Sequence, residues 1–332
     1  MMVSVILKAL NEEARIGAAI ESVQAALEGI GGEIIVADGG SRDRTLAIAA
    51  TYPIRIVQLA ATTAPSCGIG PQLGFQYSRA PFICLMDGDM LLDPGFLPEA
   101  LAFLASHPRA GGVTGHVEEM NDTSLEYVRR GRRASPENRT GAIDRMNGGG
   151  LYRRVAIEQA GYLSDRNLHG YEEFDLGVRL RSHGWTLHRL DRRFVRHFGH
   201  ALNAYTLLMR RWKSGYLRGI GELLRGALGQ PRWRQLLREL PELRLWTGVY
   251  ALLAVMIVLP FAMPRPLAGL AVDAALIAGI VGAMSLRQRS LSLGLYAVVA
   301  WFFHAAALPL GFLQARKAPE AWIESRIVKD AP

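Results

Sequence analysis

The sequence has little cysteine: Cys67 and Cys84 are the only two among its 332 residues. Two cysteines exclude a disulfide framework and a zinc site with four cysteine ligands. Cys84 lies inside an apolar stretch, and we expect it to be buried. The sequence also lacks a charged leader followed by a long apolar run, and Val3–Leu7 is too short for a signal peptide, so we interpret it as a strand.

Acidic residues are in the minority, with 30 aspartates and glutamates against 38 lysines and arginines and a net charge of +8. An excess of basic residues first suggests nucleic-acid binding. The distribution argues against it, because nine basic and only three acidic residues lie between Leu202 and Arg244, directly before a long apolar region. Basic residues beside membrane spans contact anionic headgroups. We therefore predict a membrane partner and no nucleic acid.

Three apolar segments follow this basic region. Residues 245–263 contain no charge, residues 266–286 contain only Asp273, and His304 is the only ionisable residue in 291–313. Each segment is long enough to cross a hydrocarbon core of about 30 Å as a helix. Helices buried in a soluble core are the alternative, but three such segments joined by links of two to four residues favour transmembrane helices.

The flanking regions complete the predicted membrane layout: interfacial amphipathic helices at 201–244 and a C-terminal tail at 314–332. The domain at 1–200 is expected on the cytoplasmic face of the inner (plasma) membrane in a multi-pass arrangement, because basic segments beside spans stay on that side. Three crossings then put the tail outside, although it contains Arg316, Lys317, Arg326 and Lys329. Either one apolar segment lies in the interface, or the N-terminal side determines the orientation.

Short β-branched runs alternate with helical stretches before the basic region. Strands are predicted at Val3–Leu7, Glu33–Ala37, Arg55–Leu59, Phe82–Met86, Gly112–Val117 and Trp185–Leu190. Helices are predicted at Glu13–Leu27, Asp43–Ala50, Pro94–Leu104, Arg153–Ala160 and Glu172–Ser182. This alternation is typical of an α/β fold with a mainly parallel sheet and helices on both faces. Ligands bind beyond the carboxyl ends of such strands, which points to the loops after Leu7, Ala37 and Met86.

Residues 121–150 are polar, basic and rich in glycine, without a clear period, and we predict a surface loop or insertion there. Gly148, Gly149 and Gly150 at its end would let the backbone approach a bound ligand closely. A flexible loop explains these glycines equally well. The sequence alone does not separate the two explanations.

Acidic residues follow three of the predicted strands. Asp87-Gly88-Asp89 follows Phe82–Met86, and two carboxylates separated by one small residue can both face one Mg²⁺ or Mn²⁺ ion. Asp38 follows the second strand and precedes two glycines, while Asn11 and Glu12 follow the first strand. Each motif also has a simpler explanation, as a turn or as a helix cap.

The order of these motifs resembles that of the family 2 glycosyltransferases with the GT-A fold, Rossmann-like in architecture. Asn11-Glu12-Glu13, Asp38-Gly39-Gly40-Ser41 and Asp87-Gly88-Asp89 carry the resemblance, which covers about residues 2–200. A fourth element, Gly170–Leu180, resembles the acidic helix that carries the catalytic base in that family. The layout, with the catalytic domain first and the spans last, resembles succinoglycan-type exopolysaccharide glycosyltransferases.

The resemblance implies an inverting mechanism with a nucleotide diphosphate sugar, a UDP-sugar being expected, and Mg²⁺ or Mn²⁺ as cofactor. Glu12 and Asp38 would hold the nucleobase and ribose. Asp87 would contact the ribose or a metal-bound water, and Asp89 would bind the metal. Further donor contacts are expected from Ala9, Asn11, Gln72, Gly88, Arg211 and Lys213. Gln72 stands where many relatives have an arginine, so contacts on that side should differ.

The acidic helix offers three candidate bases. Family position favours Glu173 for deprotonating the acceptor hydroxyl. On a helix, however, Glu172 and Asp175 share a face, and Glu173 points about 100° away from Glu172. Some of these acids also complement the helix N-terminus.

Two further features have both a functional and a structural explanation. Some GT-A enzymes use a histidine after the last predicted strand as a metal ligand, which makes His197 a candidate, with His200 close by. A structural histidine is the simpler explanation. Arg211 and Lys213 resemble a basic-aromatic segment that meets the donor diphosphate or a lipid phosphate in membrane relatives, and an interfacial helix that touches headgroups explains them equally well.

Other functions are weighed against this one. Gly68, Gly70 and Gly74 resemble a dinucleotide-binding loop, as in an NAD-binding oxidoreductase, but their spacing differs and no strand leads into them. A nucleotidyltransferase would need a glycine-rich basic loop near its N-terminus, and we see none in the sequence. A membrane scaffold without catalytic activity would not need Asp87, Asp89 and the acidic helix together. The expected acceptor is a lipid-linked saccharide in exopolysaccharide or glycolipid synthesis, and it would receive one sugar. A polyprenyl phosphate or another membrane lipid is the alternative acceptor.

Overall fold

The computed structural model describes residues 2–120, 139–199, 203–240 and 242–331. The chain divides into two compact units: unit 1 comprises Met1–Ala201 with Ala315–Pro332, and unit 2 comprises Leu202–Gln314. The domain predicted at 1–200 therefore has a second segment, to which the chain returns after the apolar helices. Most of the predicted loop at 121–150, and His200, lie outside the described residues.

Unit 1 is built on one sheet, which contains ten strands in the described part of the chain. They are β1 (Val3–Ala9), β2 (Gly32–Asp38), β3 (Arg55–Leu59), β4 (Phe82–Asp87), β5 (Met90–Leu92), β6 (Ala110–Glu119), β7 (Gly141–Ile143), β8 (Gly150–Arg153), β9 (Thr186–His197) and β10 (Ser325–Lys329). Their order is β10-β3-β2-β1-β4-β8-β6-β9-β5, with β7 paired to β9. The run from β3 to β4 is parallel, as predicted for an α/β fold.

Helices cover both faces of this sheet. They are α1 (Ile16–Leu27), α2 (Thr45–Ala49), α3 (Ile69–Tyr77), α4 (Phe96–Ser106), α5 (Arg154–Gln159) and α6 (Glu172–Ser182). Successive side chains of a strand point to opposite faces. Val5 and Leu7 therefore pack into a core with α1 and α4, whereas Ile6 packs into a second core with α3, α5 and α6. A strand covered on both sides needs the nearly continuous apolar run that β1 has.

Two differences from the sequence-based expectation affect the site and the extent of unit 1. The strand expected at Trp185–Leu190 continues to His197, because β9 pairs with β6 over most of its length and with β5 at its end. His197 is thus the last residue of a strand rather than part of a loop. The segment expected as a tail contains β10, which pairs antiparallel with β3 and covers what would otherwise be an edge strand.

Unit 2 is helical in its described residues. It contains α7 (Ala204–Lys213), a 3₁₀ turn (Tyr216–Arg218), α8 (Gly219–Ala227), α9 (Trp233–Glu239), α10 (Glu242–Ala262), α11 (Pro266–Gln288) and α12 (Leu291–Phe312). The last three are long and apolar enough to cross a membrane. Phe261 and Leu267 are 87% and 80% exposed. Large apolar side chains concentrated on an exposed surface indicate contact with lipid.

Candidate active site

The carboxyl ends of β1, β2 and β4 bring three of the sequence motifs to one edge of the sheet. In the strand register Ala9 lies opposite Asp38, and Lys8 lies opposite Asp87. The backbone N–H of Gly88 donates to the carbonyl oxygen of Lys8 at 2.8 Å. Residues from separate motifs are therefore neighbours in the fold, at the edge where ligands of parallel sheets bind.

Asp38 is fully buried at the end of β2. Its Oδ2 accepts hydrogen bonds from the backbone N–H groups of Gly40 and Ser41, at 2.9 and 3.0 Å, and from Gln58 Nε2 at 2.9 Å. Its Oδ1 is also buried and has no hydrogen-bond partner in the described part of the chain. Leaving a buried oxygen unpaired costs free energy, so this atom suits a donor group of a ligand.

Gln58 and Arg326 support this carboxylate, although no sequence motif indicates either residue. Arg326 Nε donates to Gln58 Oε1 at 2.9 Å, and Gln58 in turn donates to Asp38. Arg326 lies on β10, directly opposite Gln58 on β3. We call Arg326, Gln58 and Asp38 the sheet-edge relay. It joins residues 268 positions apart, so local sequence reasoning has no signal for it.

Hydrogen bonds hold the loop after β1 against the loop after β2. The backbone N–H of Asn11 donates to Ser41 Oγ at 2.8 Å, and Asn11 Oδ1 accepts from the backbone N–H of Arg42 at 2.8 Å. The backbone N–H of Glu12 donates to Thr45 Oγ1 at 2.7 Å. The simpler expectation, that Asn11 caps the next helix, is wrong because α1 begins five residues later.

Asp89 and His197 form the part of the site that could hold a cation. Asp89 Oδ2 lies 3.3 Å from His197 Nε2, and Glu119 Oε2 lies 2.6 Å from Nδ1 of the same ring. Burial lowers the pKa of His197, but the hydrogen bonds and charges of Asp89 and Glu119 outweigh burial and raise the pKa to about 10. In the described ranges no three His, Cys, Asp or Glu side chains form a metal-binding group. Glu119 instead contacts Nδ1, the ring nitrogen of His197 that does not contact Asp89.

This donor set fits a cation held by two protein ligands. A carboxylate oxygen and an imidazole nitrogen that face each other are acceptable ligands for Mn²⁺. A carboxylate on the second ring nitrogen is the usual outer support of a metal-binding histidine, and Glu119 has that position. Asp87, the other metal ligand expected from the sequence, contacts Lys8 instead, with its Oδ1 2.6 Å from Nζ.

Lys8 is a cation at this edge that no motif indicates. Its Nζ lies 2.6 Å from Asp87 Oδ1 and 4.0 Å from Glu172 Oε1. Burial lowers the pKa of Lys8, but the charges of Asp87, Glu172 and Glu173 raise it above the ordinary value. Burial raises the pKa of Glu172, and the charge of Lys8 partly opposes this increase. Lys8 thus connects the loop after β4 to the acidic helix α6.

Glu173 is held by the glycines that precede β8. Its Oε1 accepts a hydrogen bond from the backbone N–H of Gly149 at 2.9 Å. Gly148 and Gly149 have φ values of 77° and 95°, which favour glycine, and a side chain at Gly149 would collide with the backbone of Leu85. Close approach of the backbone, to Leu85 and to Glu173, therefore explains these glycines better than a flexible loop.

Asp175 has a different environment from the two glutamates of α6. Its side chain is 1% exposed, and its Oδ2 accepts from Arg179 Nε at 2.8 Å. The Arg179 guanidinium also donates to the carbonyl groups of Ala160, Tyr162 and Leu163. The structure does not favour Asp175 as the base, because its carboxylate is buried and is already neutralised by Arg179. Asp175 holds α6 in place.

Two of the other expected donor contacts, Gln72 and Arg211, have partners of their own. Gln72 is buried, and its Oε1 accepts from the backbone N–H groups of Leu163 and Ser164, at 3.0 and 3.1 Å. Arg211 and Lys213 lie on α7, where the Arg211 guanidinium is 4.9 Å from the ring centroid of Tyr216. These contacts give Gln72 a structural function.

The glycines of the dinucleotide-binding hypothesis serve packing. A Cβ atom on Gly74 would collide with the side chain of Ile6, and one on Gly70 would lie 3.4 Å from the side chain of Lys8. Gly68 precedes α3, and its added Cβ would meet the backbone of Asp165. The glycines therefore bring α3 close to the sheet and its neighbouring loop.

Comparison with known proteins supports one of these classes. Residues 4–161 match the model of a family described as Glycosyl transferase family 2. This part of the chain is therefore similar to family 2 glycosyltransferases, as the sequence motifs imply.

Curated relatives match parts of the chain. Glucosyl-3-phosphoglycerate synthase of Mycolicibacterium smegmatis is 34% identical over 105 residues, 30% of this chain and 35% of that protein. The probable glucomannan 4-beta-mannosyltransferase 1 of Arabidopsis thaliana is 27% identical over 148 residues, 41% of this chain and 26% of that protein. The chain thus spans between 26% and 35% of the length of these curated relatives.

A solved structure has a fold similar to that of this chain. The crystal structure of S. aureus TarS 1-349 in complex with UDP-GlcNAc has a TM-score of 0.51 at 14% identity. It covers 93% of this chain and 90% of that chain. The likeness shows the GT-A fold that the sequence resemblance implies.

Proposed function

We propose that this protein is a glycosyltransferase that moves one sugar, with inversion, from a nucleotide diphosphate sugar to a lipid-linked saccharide in the membrane, in exopolysaccharide or glycolipid synthesis. The observation that carries the proposal is that Asp38 and Asp87 lie at one edge of the sheet and that Lys8 connects Asp87 to the acidic helix α6. The family match and the structural likeness to a protein solved with UDP-GlcNAc support a UDP-sugar donor. The apolar helices α10 to α12 support an acceptor that lies in a membrane.

The donor nucleoside would bind beside Asp38. The buried Oδ1 has no hydrogen-bond partner among the described residues. A base N–H or a ribose hydroxyl of the donor would supply that partner. Ala9 ends β1, Asn11 and Glu12 lie in the loop that follows it, and all three would line the same subsite. The sheet-edge relay would keep the carboxylate pointing toward the ligand.

Asp89 and His197 would hold Mg²⁺ or Mn²⁺, with Glu119 orienting the imidazole. A bound cation supplies stabilisation of the negative charge that develops on the departing diphosphate. His197 would have to carry no proton on the ring nitrogen that held the cation. Lys8 holds Asp87 and Glu172 together beside this position.

Glu173 would act as the base, because the N–H of Gly149 fixes one of its carboxylate oxygens and so orients the group. The acceptor oxygen forms its bond to the anomeric carbon from the side opposite the diphosphate. The bond between that carbon and the diphosphate oxygen breaks, and the acceptor proton passes to Glu173. Glu172 is the alternative base, and separate substitutions by glutamine distinguish the two.

The test is a transfer assay on membranes that contain the full-length protein. They are incubated with a panel of labelled nucleotide sugars, with and without added lipid extract, and with polyprenyl phosphate in a separate arm. We expect label in a lipid-linked saccharide, loss of transfer in Asp89→Ala, and normal transfer in the neighbouring surface variant Glu118→Gln. Full activity of a membrane-bound Asp89→Ala would remove the metal assignment. Label on polyprenyl phosphate alone would replace the proposed acceptor.

A further inference from the structure

The chain returns to unit 1 after its three apolar helices and is firmly attached there. β10 pairs with β3, Arg55 Nε donates to Asp330 Oδ1 at 2.8 Å, and Lys329 Nζ donates to the carbonyl oxygen of Tyr52 at 2.8 Å. Ile323 is fully buried in the sheet's core. Residues 315–331 therefore belong to the same folded domain as the residues before unit 2.

This return limits the number of membrane crossings. A segment that leaves a folded domain and comes back to it starts and ends on one side of the bilayer, so it crosses an even number of times. Among the described residues of unit 2 (203–240 and 242–314), three helices are long and apolar enough to cross: α10, α11 and α12. At least one of them does not make a complete crossing.

The surroundings of α12 single it out. In the most apolar 18 residues of α12, 44% is buried within the protein. In the corresponding stretches of α10 and α11 the buried share is only 11% each. One of its partners is the basic helix α7. The rings of Tyr205 and Tyr296 lie 5.4 Å apart, and the rings of Trp212 and Phe303 also lie 5.4 Å apart. Close to its end, a Cβ atom on Gly311 would collide with the carbonyl oxygen of Arg218.

These contacts run along α12 from Tyr296 to Gly311. The helix that supplies Tyr205 and Trp212 also carries Arg210, Arg211 and Lys213 in its last turn. If α12 crossed the bilayer, these flanking charges would enter the hydrocarbon with it, where charged side chains are strongly disfavoured. At the surface they instead meet anionic headgroups.

We propose that α10 and α11 form the membrane-crossing hairpin and that α12 lies in the interface on the side of unit 1, with a bilayer leaflet as its partner. The three-residue link Met263-Pro264-Arg265 suits such a hairpin, and Gly269 lets α11 approach Pro260 closely. Leu295 and Leu310 of α12 are 44% and 47% exposed and face the acyl chains. This arrangement places the basic residues after α12 on the side of unit 1.

Cysteine labelling in intact cells tests this topology without depending on catalytic activity. Cys67→Ser and Cys84→Ala give a background without cysteine, and one exposed cysteine is added in each full-length variant: Glu28→Cys, Pro264→Cys, Arg287→Cys or Glu320→Cys. A membrane-impermeant maleimide is applied to intact and to permeabilised cells. Permeabilised cells show that each cysteine is reactive, and a position that fails is replaced by its neighbour, such as Arg265→Cys.

With unit 1 in the cytoplasm, the proposal predicts that only Pro264→Cys is labelled in intact cells. The other three variants should be labelled only after permeabilisation. Labelling of both Pro264→Cys and Glu320→Cys in intact cells would mean three crossings and would overturn the proposal. Labelling of Arg287→Cys in intact cells would mean that the end of α11 lies outside the cytoplasm. This result would overturn the assignment of α12. Protection of all four would exclude the hairpin.

Discussion

Replacing Asp175 by asparagine separates the structural acid of α6 from the proposed catalytic one. The Asp175 and Arg179 side chains are 1% and 3% exposed, and their charged atoms lie 2.8 Å apart. Breaking a buried ion pair costs about 3–5 kcal/mol, because the remaining charge loses its compensation. The asparagine oxygen can still accept one hydrogen bond, so we expect the lower end, about 3 kcal/mol. For a domain of this size that loss lowers the melting temperature by about 6–12 °C.

The assay compares Asp175→Asn with Glu173→Gln, both in the purified full-length protein. Thermal unfolding should show the loss of stability in Asp175→Asn only, since glutamine at 173 can still accept from Gly149. Turnover should show the reverse: kcat falls by about 10²–10⁴-fold in Glu173→Gln. At a temperature where Asp175→Asn is folded, its kcat should stay within a few-fold of wild type. A stable but inactive Asp175→Asn would refute the assignment.

Three further variants test the remaining contacts of the site. Arg326→Met removes the outer member of the sheet-edge relay, and the loss of about 1 kcal/mol should raise KM for the donor about fivefold with kcat unchanged; an unchanged KM would show that the relay does not orient the donor. Glu119→Gln should raise the Mn²⁺ concentration for half-maximal activity about 10-fold or more, whereas Glu118→Gln, on the same strand, should not. Lys8→Met removes a charge that lowers the pKa of Glu172. That pKa then rises, and Lys8 also interacts with the charge of Glu173. The acidic limb of the kcat/KM profile should therefore move to higher pH with either glutamate as the base; an unmoved limb would place the base out of reach of Lys8.

The elements that sequence reasoning found are those with local signals. The run Val3–Leu7 and the acidic residues after it occupy neighbouring positions in the sequence, so a local pattern reveals them. Parallel strands then place the loops that follow them at one edge of the sheet. Lys8 was missed because it is one residue of an otherwise apolar strand, and only the register with β4 places it beside Asp87. Helix periodicity grouped Asp175 with Glu172, but periodicity does not show that Arg179 neutralises it.

Long-range pairing is the part that local patterns do not encode. The tail at 314–332 looks polar and irregular, and its strand exists only because β3 offers an unpaired edge. Gln58 and Arg326 become site residues through that pairing alone. Apolar length likewise predicts three spans, whereas the return of the chain to the sheet limits how many of them can cross.

The most direct test of the cation-assisted donor site is UDP binding to the full-length protein, measured by calorimetry with Mn²⁺ and again after chelation. In the wild type, removal of the metal should weaken UDP binding at least about tenfold, which corresponds to about 1.4 kcal/mol. Asp89→Ala should bind UDP weakly in both conditions, while Glu173→Gln should behave like the wild type. Equal affinity for UDP with and without metal, in both wild type and Asp89→Ala, would contradict the account.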